Sequence, residues 1–333
     1  MKHANISLFV PHMGCPHQCS FCNQKTISGS VKELSPEDVT KTLNKAVSDG
    51  VDPANTEIAF FGGSFTAIER GYMISLLEAA RPFIKMDRFA GIRISTRPDA
   101  IDEEILGILK KYCVTAIELG AQSTDSEVLI KNRRGHTRED IFNASHLIKN
   151  AGFSLGLQMM TGLLGDTEEK SLQTCRDIIS LQPDTVRIYP TITLEGTHLG
   201  DLYKTGGYVP QSLDEAVSLC GKLLKLFYQN NIAVIRLGLH SGGNVEEGYL
   251  AGPYHPAFGE MCQSAVYLAE AVDLLNELNL KYKKVTLYLN PSEISKMIGQ
   301  KGSNKAILQS MGYSVSVKGD SMLDKYQIKI NER

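Results

Sequence analysis

Ile6-Ser7-Leu8-Phe9-Val10 leads within five residues to Cys15-Pro16-His17-Gln18-Cys19-Ser20-Phe21-Cys22. The first stretch has the length and composition of a short buried strand. The second places three thiols at offsets of four and three, on a loop at that strand's C-terminal end. In parallel α/β proteins this is where ligands bind. Three thiolates on one loop can hold three irons of a four-iron cluster and leave the fourth iron open. A ferredoxin cluster fills all four positions and its motif continues to a fourth cysteine, and none follows Cys22 closely. Zinc is the other chemistry these thiols allow. It wants four ligands, and His12 or His17 would be the fourth.

The pattern set by that first strand repeats. Glu57 to Phe61, Gly91 to Thr96, Ala116 to Leu119, Ser154 to Met159 and Thr185 to Tyr189 are further candidate strands, with Ile232 to Leu237 as an addition. Helix-like stretches alternate with them. Ser35-Pro36-Glu37-Asp38 opens one, with serine as N-cap and proline in the first turn. Arg138 to Ala151 and Leu213 to Asn230 are others. This rhythm predicts about six parallel βα units, and periodicity alone fits a full barrel, a partial barrel or a doubly wound sheet. From about residue 280 the rhythm changes. Lys284 to Leu289 reads as a strand, Pro291 to Ile298 and Ser303 to Met311 as helices, and Ser314 to Val317 and Tyr326 to Ile330 as strands. The expected division is residues 1–240, a connecting segment at 241–280, and a small α+β module at 281–333.

The chain has 333 residues, 42% hydrophobic and 22% charged, which fits a folded globular protein and excludes a disordered one. Its net charge of −2 excludes a uniformly basic nucleic-acid binder but conceals an asymmetry. Residues 281–333 carry 10 Lys and Arg against 4 Asp and Glu; the other 280 residues carry 25 against 33. No apolar run approaches the length of a membrane span, and Met1 to Asn5 opens no signal-peptide core, so a cytoplasmic protein is expected. Seven cysteines in such a chain do not suggest a disulfide framework. Cys113, Cys175, Cys220 and Cys262 have no ligand spacing and read as buried apolar residues, as do Met159 and Met160.

Cys-x-x-x-Cys-x-x-Cys, with an aromatic just before the last cysteine, resembles the radical S-adenosylmethionine (SAM) superfamily. The resemblance implies a partial (β/α) barrel in which Cys15, Cys19 and Cys22 hold a 4Fe-4S cluster. SAM would chelate the open iron, and an electron supplied by a donor such as flavodoxin or ferredoxin would cleave it to methionine and a 5′-deoxyadenosyl radical. Gly62-Gly63-Ser64, after the second strand, matches the segment that binds the methionine amino group, where many members have Gly-Gly-Glu. Ser95-Thr96-Arg97-Pro98-Asp99, Glu118-Leu119-Gly120-Ala121-Gln122-Ser123, Asn132-Arg133-Arg134-Gly135-His136-Thr137 and Tyr189-Pro190-Thr191 narrow the resemblance to the radical SAM domain of the Elongator catalytic subunit, over roughly residues 5–240. That family usually has Glu where Ser95 stands, near the SAM ribose. Gln122 and Arg134 match positions lining the SAM site, and Glu118 is counted with them. Each has an ordinary reading too: Glu118 and Gln122 as loop caps, Arg134 as a solvated charge. The Elongator subunit also has an acetyltransferase domain, for which residues 281–333 are too few.

Arg187, Tyr189, Arg236 and His240 end or follow the later strands and are candidates for substrate contact. Gly299-Gln300-Lys301-Gly302, between two short helices and followed by Lys305, resembles the Gly-x-x-Gly loop of a KH RNA-binding domain, which clamps four nucleotides by their backbone. Its ordinary reading is a helix C-cap and tight turn in a packing module. The expected function is radical SAM chemistry on RNA, with tRNA as the substrate class. The alternatives are radical SAM chemistry on a small metabolite or peptide, and a non-catalytic zinc- and RNA-binding protein.

Overall fold

The computed structural model describes residues 4–10, 19–23, 33–86, 89–239, 245–278 and 284–332. Cys15, His12, His17 and His240 lie outside them. Six strands pair in parallel in the order of the chain: β1 (Ala4–Val10), β2 (Thr56–Gly62), β3 (Gly91–Thr96), β4 (Val114–Gln122), β5 (Ser154–Thr161) and β6 (Thr185–Pro190). A two-residue strand, β7 (Thr193–Leu194), follows. Then β8 (Ala233–Leu237) joins the free side of β6, again in parallel, as the seventh strand. Among the described residues β1 and β8 are unpaired on their outer sides, so the sheet is an open, partial barrel. β9 (Tyr249–Ala251) pairs with β7.

The crossovers are helical: α1 (Pro36–Ser48), α2 (Arg70–Lys85), α3 (Glu103–Lys111), α4 (Ser126–Lys131), α5 (Arg138–Asn150), α6 (Glu168–Leu181), α7 (His198–Lys204) and α8 (Leu213–Gln229). Ser35, as the sequence predicts, caps α1 in a reciprocal box with Asp38. Thr137 with Asp140 and Ser212 with Glu215 do the same for α5 and α8.

Side chains alternate across a strand, and the register makes that alternation common to the whole sheet. One face carries Ile58, Phe60, Ile92, Ile94, Ile117, Leu119, Leu155, Leu157, Val186 and Ile188, each at most 1% exposed, and the helices pack on it. Burying each such side chain contributes about 2 kcal/mol. The inner face carries Glu57, Arg93, Glu118, Gln158 and Arg187. Met159 and Met160 divide between the two: Met159 is buried in the core, and Met160 is half-buried opposite Tyr189. Cys175, Cys220 and Cys262 are fully buried. Cys113 departs from the sequence reading. It takes φ 64° in the turn between α3 and β4 and is half-buried, because the chain reverses there.

After a short α9 (Val245–Gly248), the long helix α10 (Phe258–Glu277) leads to a second core. There β10 (Lys284–Leu289), α11 (Ile294–Ile298), α12 (Ser303–Ser310), β11 (Ser314–Gly319) and β12 (Lys329–Glu332) form a three-stranded sheet with two helices. β10 is central, parallel to β11 and antiparallel to β12. Tyr267, Ala271 and Leu275 of α10 pack against Val285, Leu287, Leu289, Met297 and Leu308. Thus α10, which the sequence places in a connecting segment, is one wall of this core. The last strand starts later than expected. Tyr326 adopts φ 62°, which interrupts an extended run, and its ring lies 5.3 Å from that of Tyr267 and 4.9 Å from that of Tyr228. Among the described residues no helix is long and apolar enough to cross a membrane.

Candidate functional site

Cys19 and Cys22 sit beyond the C-terminal end of β1, in a turn closed by a 3.1 Å hydrogen bond from Cys22 N to Cys19 O. Partners far away in sequence hold that turn. Ser20 N donates to Asn132 O at 3.2 Å, Ser20 Oγ donates to Asn132 Oδ1 at 2.6 Å, and Ser20 O accepts from Leu199 N at 2.8 Å. Asn23 Nδ2 donates to Glu195 O at 3.0 Å. Asn132 is fully buried, and its amide nitrogen also reaches Val128 O and Leu164 O. It is a hub joining the cysteine turn, the end of α4 and the β5–α6 loop.

Arg134 adds a charge to this clamp. Its Nη1 donates to Cys19 Sγ at 3.2 Å and its Nη2 to Gly120 O at 2.6 Å, with the guanidinium 5.9 Å from the Phe21 ring centroid. Arg134 is 7% exposed, so it is not a solvated charge. The backbone around it is strained: Arg133 has φ 54° and Gln122, at the bulged end of β4, has φ 65°. Such non-glycine conformations cost about 1 kcal/mol or more each and cluster at functional sites.

At the end of β2, Gly63 N donates to Val10 O at 3.0 Å. Gly62 has φ 117°, and a Cβ there would lie 2.4 Å from Val10 O, so only glycine lets β2 run this close to the approach to the cysteine loop. Ser64 is buried, and its hydroxyl is occupied: it accepts from Arg97 N at 2.9 Å and pairs with Thr96 Oγ1 at 3.0 Å, which in turn pairs with Thr66 Oγ1 at 2.6 Å. These hydroxyls tie the ends of β2 and β3 together. Other polar atoms nearby are buried with no partner among the described residues: Ser95 Oγ, Gln122 Oε1, Arg134 Nε and His136 Nδ1. His136 Nε2 faces Ala121 O at 3.2 Å, and burial with the neighbouring Arg134 pushes the imidazole pKa down to about 4. Neutral and with Nδ1 bare, it presents an acceptor. A polar ligand at the ends of β3 and β4 would satisfy these atoms, so the residues present fit a molecule with amino, carboxylate and ribose groups.

Glu118 is no loop cap. It is 1% exposed on the inner face and fully engaged. Arg93 Nη1 donates to Oε1 at 3.2 Å, Arg187 Nη2 to Oε1 at 2.7 Å, and Gln158 Nε2 to Oε2 at 2.9 Å. Arg93 Nε also reaches Glu57 at 2.6 Å. Gly156 makes the room, since a Cβ there would lie 2.8 Å from Glu118 Cγ. Of the candidate substrate residues, Arg187 is therefore tied to Glu118 and lies 5.3 Å from the Phe61 ring centroid. Tyr189 lies beside it, its phenol pushed up by burial. Arg236, opposite Arg187 in the register, has its pKa pushed down by partial burial and makes no ion pair among the described residues. Asn132, His136, Arg93, Glu57 and Gln158 carry this architecture, and sequence reading gives them no role. The alternation Glu57-Ala59-Phe61 and Arg93-Ser95 was the signal for the inner face.

The Gly299–Gly302 loop joins α11 to α12 on the second sheet. Gly299 (φ 79°), Lys301 (φ 52°) and Gly302 (φ 81°) are all left-handed, and the side chains of Gln300, Lys301 and Lys305 are exposed. It lies far from the cysteine turn along the chain and is joined to the rest of the molecule through α10.

Comparison with known proteins places this geometry. The model of the radical SAM superfamily matches residues 9–178, and that of the radical SAM C-terminal domain matches residues 183–267. A tRNA uridine(34) acetyltransferase of Methanocaldococcus infernus is 33% identical over 256 residues, covering 65% of this chain and 48% of its own length. Elongator complex protein 3 of Homo sapiens is 32% identical over 139 residues, covering 41% of this chain and 25% of its own. The chain thus spans about half, or less, of the length of these relatives. The solved structure of the archaeal Methanocaldococcus infernus Elp3 with an N-terminal deletion superposes with a TM-score of 0.61 at 20% identity, covering 84% of this chain and 65% of that one, which shows the shared fold. With more than half its length matched, the chain belongs to the radical SAM superfamily, whose enzymes work with a 4Fe-4S cluster and S-adenosylmethionine.

Proposed function

We propose that this enzyme cleaves SAM reductively and uses the resulting radical to modify RNA, with tRNA as the substrate class. When bound, the cluster and SAM supply the electron and the radical. The chain's own residues bind, orient and shield. Cys15, Cys19 and Cys22 would hold the cluster, with Arg134 and Asn132 fixing the loop. Gly62 and Gly63 would open backbone to the methionine end of SAM. Ser95, Gln122 and Arg134 would meet its polar groups. Glu118 would act indirectly, holding Arg93 and Arg187 in place beneath the site. Ser64 would keep the β2 and β3 ends together.

The observation that carries the cofactor reading is the set of buried polar atoms at Ser95, Gln122, Arg134 and His136, without partners among the described residues, beside a cysteine turn. The RNA reading is supported by the exposed Gly299-Gln300-Lys301-Gly302 loop in a basic segment, with Lys305 beside it, and by relatives whose names specify tRNA. Residues 281–333 with α10 would be the RNA-contacting part, and the sheet through β8 the part that does the chemistry. Acetyl transfer, named in those relatives, is not carried over, because the chain spans about half their length.

Purified without oxygen and supplied with reductant and SAM, the protein should release 5′-deoxyadenosine. A full cluster with no such product sinks the radical reading. Nucleoside mass spectrometry of tRNA from cells lacking the gene should show one modified nucleoside missing. An unchanged tRNA profile favours a small metabolite or peptide as substrate.

A further inference from the structure

The inner face of the sheet and the Gly299–Gly302 loop are separate places on the chain. A single helix connects them. The start of α10 lies on the end of β8: a Cβ on Gly259 would lie 3.2 Å from Leu237 O, and one on Gly238 would lie 2.9 Å from the Phe258 ring. One turn further, Ser264 Oγ donates to Lys296 O at 2.7 Å, and Asn304 Nδ2 donates to Ser264 O at 2.8 Å. Lys296 and Asn304 flank the Gly-x-x-Gly loop on either side. Residues four apart on a helix lie about 5–6 Å apart, so the loop's anchor at Ser264 is one step from Glu260, which lines a cleft.

That cleft, about 620 Å³, runs between β8, the first two turns of α10 and the loop before β12. Arg236 lines it from the sheet and Lys325 from the C-terminal module, with Gln263 between them and Glu260 as the one carboxylate among its lining residues. Arg236 also stands beside Arg187 and Tyr189 on the inner face. Among the described residues it is an inner-face cation that the Glu57–Arg93–Glu118–Arg187 network does not neutralise. Lys325 is exposed, near Lys296 and Glu293 and 4.9 Å from the Tyr326 ring centroid. Two cations, one from each core, thus line one cleft, together with Gln263, the chain neighbour of the loop's anchor Ser264.

We propose that this cleft is the path by which one RNA strand, held at Gly299–Gly302, reaches the inner face, with Arg236 and Lys325 receiving its phosphates. This rests on the reading of RNA as substrate and adds where the strand runs. A loop that clamps four nucleotides then uses only part of the footprint, and the nucleotides entering the cleft make the rest. Arg236 serves as the contact closest to the reacting nucleotide. The geometry favours a single strand: the cations line a cleft, which a strand can enter one backbone at a time, and not a flat face.

The test uses the full chain and fluorescein-labelled oligouridylates of four and eight nucleotides, with anisotropy read across a range of salt. The eight-mer should bind at least tenfold more tightly than the four-mer. Arg236→Gln with Lys325→Gln should remove that gain while leaving four-mer affinity unchanged. The eight-mer's slope of log affinity against log salt should fall in magnitude by about 1.4, at about 0.7 per single-strand phosphate contact. Arg236→Lys with Lys325→Arg, which keeps both charges, should restore most of the gain and guards against a variant that merely misfolds. If the double glutamine variant keeps the eight-mer gain, or loses both lengths equally while the charge-keeping variant does too, the path is wrong even though the chain binds RNA. If polyglutamate competes as well as the eight-mer, the cleft is an acidic-protein site and the proposal falls. If the parent binds neither length, the RNA reading falls and takes the path with it.

Discussion

Arg134 gives the site a feature that a list of ligands omits. A guanidinium hydrogen bond to Cys19 Sγ stabilises extra negative charge on the sulfur, and hydrogen bonds to cluster sulfurs help set cluster potentials. Arg134→Gln should therefore lower the midpoint potential of the assembled cluster by roughly 40 mV, the one-electron counterpart of ~1 kcal/mol. An EPR-monitored redox titration at unchanged iron content checks this, and an unshifted potential would show that the contact is only structural. His136 offers a pH test at the same scale. Its folded pKa, about 4, lies below the ordinary 6.5 because burial and Arg134 disfavour the imidazolium. The unfolded chain takes up a proton near pH 6.5 while the folded protein refuses it. The stability contributed by the neutral form is thus complete above pH 6.5 and lost as pH falls toward 4, by about 3 kcal/mol in all. His136→Gln should flatten that part of the urea-midpoint profile. The cysteine motif could be read because its three members lie within eight residues. The Arg134 contact was not, because 115 residues separate its partners.

Glu118, Arg93, Arg187, Gln158 and Glu57 act as a ladder across β2 to β6, each strand supplying one member. Removing charge from the central rung leaves buried arginines without their counterion, a loss of about 3–5 kcal/mol. Glu118→Gln should lower the urea midpoint accordingly, with an unchanged m-value. A cost below 1 kcal/mol would mean that water or Glu57 takes over the charge. All seven strands were visible as apolar runs, because one face of each is packed by helices. The ladder was hidden for the same reason. In single sequence, Arg93 and Glu57 look like interruptions of such runs, and only the parallel register, with Glu57 opposite Gly91 and Arg93 opposite Ala59, sets them diagonally on one face. Tyr326 marks a similar limit. Tyr326 to Ile330 alternates as a strand should, yet the strand begins at Lys329, because the tyrosine turns inward to Tyr267.

The molecule is built from two cores that share helices. Leu224 of α8 and Tyr267, Ala271 and Leu275 of α10 face the C-terminal sheet. A chain ending at Leu278 should therefore expose an apolar strip, bind anilinonaphthalene sulfonate and lose solubility. A truncated chain that stays monomeric and dye-free would show that the C-terminal module is only loosely attached. The change of rhythm near residue 280 was legible from the sequence, but α10 was not legible as a wall of that core. It is apolar around much of its circumference because it packs on both cores, which leaves no single stripe to read. The charge division has a consequence in time. Residues 281–333 carry six positive charges in excess while the rest carries eight negative, so the protein is an electric dipole in solution. A polyanion drifting toward it is repelled by most of its surface and turned toward one end before any contact forms. On the proposed RNA reading most collisions then begin at the C-terminal module, and adding salt would slow encounters as well as loosen the complex.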